Sequence, residues 1–591
     1  MRFIFLLYFI LFSNVILAED KKNNNEAYID LTQDENQNQN QKLNKIKKEN
    51  QNQKPKKINK NEQKLKTLNN DDSNNIKSVI IGELGTPSLG SIGIKTNVNK
   101  KIGLNLWNNF TADEAIKLLN LLPKRSSSRV YQKILNDIYA STSEPPKGSK
   151  DEIVEFLNIK LSRLAYNGQD NHLLKIIDQL PDSEKWERWK KWYIVYYFLK
   201  KNDTKACQKV SNTRDKYNSI FWKKAHLLCL IFQKNFSEAN FVFDVMASQN
   251  LLDDTFQALI DKFLNEKKID DYTFKDKSVS PINLVLLDTT QYPINYQMIR
   301  DFDFEYKSLL LELIYLEPEA RVILTDQMTL VKDITREALI KTYQDITYEK
   351  VDQNLYLQNI KSNPNGLNRA KAWLHAMKIS DNSEKAEFIL KILNNENDHY
   401  NFRKTSNLYL PLLKSLESSS LSQSQVKTIN YIDSINNPKK YIEKPISKIL
   451  LMNKEETLEF KFIAQHNAWN MINYLNYLGL EIPKINWDKY YNKNLKAFQK
   501  SSDKFSLNVS YEEFVISNAI RNSIENENYL KSFLLIGKLI DNNKLETLNL
   551  TTIKDIDIFL TNIDFINLRN DLRQEFLYTK FFNSYKFYDE N

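Results

Sequence analysis

Two tryptophan-containing stretches indicate the fold of this 591-residue chain: Arg188-Trp189-Lys190-Lys191-Trp192 and Phe221-Trp222-Lys223-Lys224-Ala225. Tryptophan falls on tryptophan at an offset of 33 residues, and the same offset places Asn202 on Asn235. Each copy predicts an aromatic helix, a polar turn and a second helix. A period of 33 or 34 residues with two helices per unit is typical of tetratricopeptide-like solenoids. The alternative is that two similar helical hairpins occur by chance.

The sequence on both sides of these stretches also predicts helices, so the expected fold class is all-α, an α-solenoid of helical hairpins. The match to the tetratricopeptide pattern is degenerate, because no Gly follows the Trp. Only 10 Gly occur in the whole chain, which disfavours a turn-rich β fold. We expect a helical-repeat body over residues 104–436 and a C-terminal helical domain over 437–591, with the boundary at Asn437-Pro438.

The first eighteen residues have the composition of a secretory signal peptide. Arg2 gives a positive start, residues 3–12 carry no charge, and Ala18 offers a small residue before charged Glu19 and Asp20. Ten apolar residues are too few to span a bilayer. An uncleaved N-terminal anchor is the alternative, since the apolar run continues somewhat beyond Phe12. The sequence therefore predicts export to the periplasm and, after cleavage, no transmembrane segment.

Two segments separate this signal from the helices. Residues 19–77 are rich in Asn, Gln and Lys and hold few apolar residues, so we expect a disordered linker. Residues 78–103 begin with the β-branched run Ser78-Val-Ile-Ile-Gly82 and contain five of the ten glycines. They predict a short β or irregular segment, either a small hairpin or an extended segment packed on the helical body.

The net charge of +9 is concentrated in the linker. Residues 42–66 hold ten Lys and two Glu, which leaves the rest of the chain close to neutral. A near-neutral remainder lacks the broad basic surface that binding to phosphate backbones requires, so we expect no nucleic-acid partner.

Motifs of catalysis or cofactor binding are not found in the sequence. The five His residues have no partner four residues on and belong to no Cys/His cluster, so we expect no metal site. Gly85-Thr-Pro-Ser-Leu-Gly90 has the spacing of a phosphate loop, but Ser91 stands where that loop needs Lys. A possible binding face for sugars or a peptide is formed by Trp186, Trp189 and Trp192, but packing in a repeat seam is the favoured alternative.

The two cysteines, Cys207 and Cys229, are predicted to form a disulfide bond. They fall on the second helix of one repeat unit and the first helix of the next, which are neighbours in a stacked array. An exported protein meets oxidising conditions. Two buried thiols in adjacent cores are the alternative.

Several short motifs resemble an uncharacterised family of exported helical proteins in alphaproteobacteria, often labelled antifreeze glycopeptide polyprotein. They are Leu106-Trp107 ahead of helix 112–122, the Cys207 helix followed by Trp222 and Cys229, Asn368-Arg-Ala-Lys-Ala-Trp373, and Asn567-Leu-Arg-Asn-Asp-Leu-Arg573. The resemblance covers most of residues 100–585. It implies export and a helical body, and it implies no catalytic residues.

Two functions of different classes are compatible with these features. The first is a noncatalytic periplasmic scaffold or adaptor for envelope proteins or cell-wall polymer such as peptidoglycan, without cofactor. The second is a cell-wall-acting enzyme related to murein hydrolases with helical superhelices, whose only Glu-Ser candidate would be Glu417-Ser418. The first is expected, because no catalytic constellation accompanies the repeat pattern.

The signal peptide yields a test of processing. We expect the exported protein to begin near Glu19, because Ala18 ends the apolar run directly before two acidic residues. Mass spectrometry of the N-terminal peptide from the periplasmic fraction measures this. An Ala18→Arg variant, which removes the small residue at the cleavage point, should retain the segment. An intact Met1 in the wild-type mature protein would contradict the prediction.

Overall fold

The computed structural model describes residues 89–95, 106–265, 279–436 and 511–589, apart from the single positions 330, 333, 397 and 549. All of them belong to one compact unit, Leu84–Asn591. The predicted signal peptide (1–18), the predicted linker (19–77) and the predicted boundary at 437 lie outside these residues.

The described residues confirm the all-α fold class. β-type pairing within them is confined to three isolated bridges, one of which joins Lys95 to Ser141. In the described parts of the chain, every helix is too short or too polar to cross a membrane. The α-helices are α1 Ala112–Leu121, α2 Arg129–Tyr139, α3 Lys150–Tyr166, α4 Asp170–Gln179, α5 Glu187–Leu199, α6 Asp203–Thr213, α7 Ile220–Phe232, α8 Phe236–Ser248, α9 Asp254–Asn265, α10 Pro281–Thr289, α11 Tyr296–Ile299, α12 Phe304–Leu310, α13 Pro318–Met328, α14 Arg336–Gln344, α15 Gln353–Ser362, α16 Gly366–Lys378, α17 Asn382–Asn395, α18 His399–Ser415, α19 Gln423–Asn436, α20 Tyr511–Glu525, α21 Tyr529–Thr547, α22 Leu550–Asn562 and α23 Ile566–Asp589.

The described part of the predicted β or irregular segment packs on the helical body. A 3₁₀ turn over Leu89–Ser91 leads into a stretch whose Ile94 and Lys95 N–H groups both donate to the carbonyl of Ala140. Gly93 permits this approach, because a Cβ there would lie 2.2 Å from the carbonyl oxygen of Ser141. The segment thus covers the end of α2 and forms no hairpin within residues 89–95.

The 33-residue repeat is visible in the turns of three successive helical hairpins. Gly168, Lys201 and Lys234 follow α3, α5 and α7, and all three have left-handed backbone conformations with φ of 62°, 55° and 60°. In each turn the N–H group of the following residue donates to a carbonyl oxygen in the last turn of the helix. Asn202, for example, donates to the carbonyl of Tyr197 at 2.9 Å. This arrangement is a Schellman motif. The tryptophan offset marks the second and third of these units, and the first has no tryptophan at the matching position, residue 156.

The hairpins do not simply extend along one axis, because the C-terminal helices pack against the first ones. Helix α21 packs on α1, and α23 packs on α2. Gly537 on α21 allows the contact, since a Cβ there would lie 2.8 Å from the ring of Tyr131. The ring of Phe533 stacks on that of Tyr131 with centroids 4.5 Å apart. The described C-terminal helices therefore share one hydrophobic core with described residues between Ile92 and Leu324.

A second hydrophobic core lies within α13–α19, and Tyr578 from α23 joins it. Each helix in the series α2, α3, α12, α13, α14, α18 and α23 packs on the next, and α23 returns to α2. We call this series the helical circuit. It joins the two cores.

A buried ion network stabilises the second core. The guanidinium of Arg369 on α16 donates to both carboxylate oxygens of Glu396 at 2.7 and 2.9 Å and to Asp326 at 2.9 Å. Asp326 also accepts from Lys404 at 2.7 Å, and Glu396 accepts from the Thr405 hydroxyl. All three charges around Arg369 are thus paired, which a buried charge requires.

Cations satisfy the carbonyl groups at three helix ends, and two of these cations, Arg163 and Lys190, are buried. Arg163 donates to the oxygens of Leu119 and Leu122 at the end of α1, both at 2.9 Å. Lys190 donates to Ile177 and Leu180 after α4, at 3.0 and 2.7 Å. Arg321 likewise reaches carbonyl oxygens that follow α12. The last carbonyls of a helix have no partner within it, so these cations replace water where the ends are buried.

The left-handed turns make stability testable. Lys234 is exposed and holds φ at 60°, a conformation that costs a residue with a Cβ roughly 1–2 kcal/mol. We expect Lys234→Gly to raise the free energy of unfolding by about 0.5–1 kcal/mol, the strain relieved less the entropy cost of Gly. Chemical unfolding followed by circular dichroism measures it.

The matched control is Lys223→Gly on α7, also an exposed Lys but inside a helix. Gly costs about 1 kcal/mol there, so the two variants should shift the unfolding midpoint in opposite directions. A shift of the same sign in both would contradict the interpretation of the turn.

Candidate ligand-binding cavity

The predicted binding face of Trp186, Trp189 and Trp192 is wrong, because the three indoles are 1%, 0% and 1% exposed. Trp189 Nε1 donates to Asn158 Oδ1 at 2.7 Å, and Trp192 Nε1 donates to the carbonyl of Glu305 at 3.1 Å. The i, i+3, i+6 spacing places these rings on one side of the helix, and that side faces the neighbouring hairpins. The alternative of packing in a repeat seam is what the structure shows.

Cys207 and Cys229 lie at disulfide distance, with Cα atoms 5.4 Å apart. They join α6 to α7, the second helix of one hairpin to the first helix of the next, as the repeat pattern predicts. Both side chains are buried, with 5% and 4% of their surface exposed. The link is therefore a structural feature of the array and is not positioned for chemistry at the surface.

Metal chemistry gains no support from the described residues, where no three His, Cys, Asp or Glu side chains come together as a metal site. Two of the histidines contact other side chains: His375 lies 3.1 Å from the Tyr348 hydroxyl, and His226 lies 2.5 Å from Arg214.

The loop before α2 is a feature that the sequence analysis missed. It reads Arg125-Ser-Ser-Ser-Arg129, and Ser128 caps the helix by accepting from the N–H of Tyr131 at 3.0 Å. Two carboxylates from distant helices hold this loop. Asp541 on α21 accepts from the Ser127 N–H at 2.5 Å. Glu575 on α23 accepts from the Ser128 hydroxyl and from the Arg129 N–H, the latter at 3.0 Å.

These carboxylates suit the start of a helix, because unpaired N–H groups and the helix dipole favour negative charge there. Their environment is nevertheless poor in water. Burial raises the pKa of Asp541 to about 6, although hydrogen bonds from Ser127 act in the opposite direction. Burial also raises the pKa of Glu575, which is 5% exposed.

Two adjoining cavities surround the loop. The first, which we call the large lobe, has a volume of about 830 Å³. It is lined by Lys95, Arg125, Ser126, Ser127, Arg129, Val130, Gln132, Lys133, Asn136, Asp137, Asn167, Gln169, His172, Val331, Tyr400, Asp541 and Asp571. Asn167 is 1% exposed, and its amide donates to the carbonyl oxygens of Lys124 and Arg163. Its Oδ1 atom is buried and has no hydrogen-bond partner.

The second cavity, which we call the small lobe, has a volume of about 510 Å³. It is lined by Arg129, Val130, Thr329, Lys332, Ile334, Thr335, Arg336, Leu339, Tyr400, Arg403, Lys404, Asn407, Leu408 and Glu575. The lobes share Arg129, Val130 and Tyr400. Four members of the helical circuit contribute residues to the lining of the small lobe: α2, α14, α18 and α23. The small lobe thus lies where the first core meets the second.

Positive charge predominates in this lining. The two lobes together present eight Lys or Arg side chains against four carboxylates: Lys95, Arg125, Arg129, Lys133, Lys332, Arg336, Arg403 and Lys404 against Asp137, Asp541, Asp571 and Glu575. The imbalance is greatest in the small lobe, which holds five of the cations and only Glu575. A cleft lined by one sign of charge attracts ligands of the opposite sign.

A third cavity, of about 630 Å³, runs along the side of α3, and ion pairs occupy its charged lining. Lys185 pairs with Asp151, and Arg188 pairs with Glu305. It has less uncompensated charge than the small lobe and is a weaker candidate.

Comparison with family models, with curated proteins and with solved structures finds no match to this chain. The resemblance to exported alphaproteobacterial proteins therefore remains an expectation from short sequence motifs.

The buried acid at the loop generates a pH prediction. The pKa of Asp541 is about 6 in the folded chain and 3.8 ordinarily, so the folded state binds this proton more tightly than the unfolded state does. The free energy of unfolding should rise as the pH falls through about 6 and level off below about 4. A shift of this size corresponds to at most about 3 kcal/mol.

Asp541→Asn isolates this group, because the amide oxygen can still accept from Ser127 while Glu575 titrates in both proteins. As the pH is lowered from 7.5 to 5.0, the unfolding midpoint of the wild type should rise relative to that of the variant. A constant difference between the two proteins across this range would show that Asp541 does not titrate near pH 6.

Proposed function

We propose that this protein is a noncatalytic periplasmic helical-repeat scaffold that acts as an adaptor for envelope proteins or cell-wall polymer. The observation that carries the proposal is the two-lobed, positively charged cavity at the junction of the two cores. Stacked helical hairpins commonly hold another chain against an extended concave surface. Here the helical circuit supplies a recess with walls from several helices, so a bound segment would be held from more than one side.

The lining favours a polar, acidic partner segment. Lys and Arg side chains suit carboxylate groups, which occur on acidic peptides and on the peptide stems of peptidoglycan. Carboxylate groups are present in envelope proteins and in wall polymer, and the predicted export signal would bring the protein to them.

The alternative, a wall-acting enzyme, has less support. Glycoside hydrolysis uses a pair of carboxyl groups on either side of the scissile bond, and the acid is kept protonated by its surroundings. Glu417, the one Glu-Ser candidate, is exposed beside a 3₁₀ turn and lines neither lobe. Asp541 and Glu575 have raised pKa values, but both accept hydrogen bonds from the loop before α2, which gives them a structural role.

Site-specific photocrosslinking in intact cells tests the proposal. A photoreactive amino acid at Lys133 in the large lobe or at Asn407 in the small lobe should yield the same envelope partner, because both side chains are exposed and line the cavity. The matched control is Lys223, exposed on α7 and outside the cavity lining. Equal crosslinking at all three positions would contradict a site at the cavity. Lysis of purified cell wall by the isolated protein would favour the enzyme.

A further inference from the structure

The small lobe contains two guanidinium groups that neighbouring atoms hold in place. Arg336 Nε donates to the carbonyl of Leu408 at 3.1 Å. The guanidinium of Arg403 lies over the ring of Tyr578, with its carbon 5.0 Å from the ring centroid. Each contact orients a guanidinium while leaving further N–H donors on it. Groups positioned before binding lose less conformational entropy when a ligand arrives.

The lysines of the lobe have a different role, because acids behind the lining already pair with them. Lys332 lies 3.1 Å from Asp170, and Lys404 lies 2.7 Å from Asp326. Their charges are largely compensated, and the pairs fix the walls of the lobe. The uncompensated positive potential therefore comes from the guanidinium groups.

The acids near these arginines compensate them only in part, because Glu575, whose carboxylate Arg403 stabilises, is also held by the loop before α2. Glu575 accepts hydrogen bonds from the Ser128 hydroxyl and the Arg129 N–H at the start of α2. Glu337 lies 3.8 Å from Arg336, beyond hydrogen-bonding distance, and its side chain is 77% exposed, so solvent screens this pair. Helix α14 begins at Arg336 beside the lobe, and its N-terminus adds partial positive charge.

We infer that the small lobe binds an oxyanion group, a phosphate or a carboxylate, between Arg336 and Arg403. The planar guanidinium presents parallel N–H donors that match two oxygens of either group. A volume of about 510 Å³ exceeds that of one such group, so the ligand also extends beyond it. This inference rests on the proposed function in that it names the chemistry which the adaptor would recognise at the cavity.

The test is titration calorimetry of the full chain with pyrophosphate and, separately, with citrate. We expect saturable binding of at least one, and the stronger ligand identifies phosphate or carboxylate as the preferred group. Affinity should fall as salt is raised, since the contact is ionic. Arg336→Gln and Arg403→Gln should each weaken binding about tenfold or more, because each removes charged hydrogen bonds. Arg300→Gln, an exposed arginine outside the lining, should leave it unchanged.

A second measurement works on the wild type alone and does not depend on the folding of a variant. Phenylglyoxal modifies accessible arginines, and peptide mass spectrometry reports each site. Bound pyrophosphate or citrate should protect Arg336 and Arg403 and leave Arg300 reactive. No saturable binding of either anion, or binding without protection of these two arginines, would overturn the inference.

The two proposals can fail separately. If the protein binds neither anion but still crosslinks to an envelope partner at Lys133, the adaptor proposal stands and the oxyanion site is wrong. Anion binding without any envelope partner would leave an oxyanion site in a protein of another function.

Discussion

Stacking helices into hairpins buries their ends, and every buried end leaves backbone groups that must find partners. This chain meets the constraint with charges of the sign that each end prefers. Where helices end, carbonyl oxygens accept hydrogen bonds from the side chains of Arg163, Lys190 and Arg321. Where α2 begins, the carboxylates of Asp541 and Glu575 accept hydrogen bonds from backbone N–H groups. Charged side chains that would be costly alone in a core are thereby placed against complementary dipoles.

The same arrangement accounts for the character of the cavity. Asp541 and Glu575 are engaged at the loop before α2, and Asp170 and Asp326 are engaged by lysines of the small lobe. Few acids remain to neutralise the arginines nearby. The positive potential of the small lobe therefore follows from how the two cores are joined, and a ligand with negative charge would complete the compensation.

Local patterns predicted much of the fold, because the interactions that produce them span only a few residues. Thr111-Ala-Asp-Glu114 has the sequence of a capping box and forms one, and Pro318 has the fixed φ that suits the first turn of α13. The 33-residue offset likewise marks the turns of the hairpins. The cavity was not predictable in this way. The three serines before α2 resemble an ordinary linker, and their partners lie 414 and 447 residues further along the chain. The possible binding face of the tryptophan series is wrong for a related reason, since spacing gives the side of a helix and not what covers it.

The contact between the loop before α2 and the last helices has a consequence for the order in which the protein can be assembled. Synthesis at 5–20 residues per second separates residue 128 from residue 575 by roughly 20 to 90 seconds. During that interval the stacking face of Tyr131 lacks Phe533, and the start of α2 lacks its carboxylates. The growing polypeptide thus carries an unfinished apolar surface for most of its time on the ribosome, and the last helices complete the first hairpins only when synthesis is nearly over.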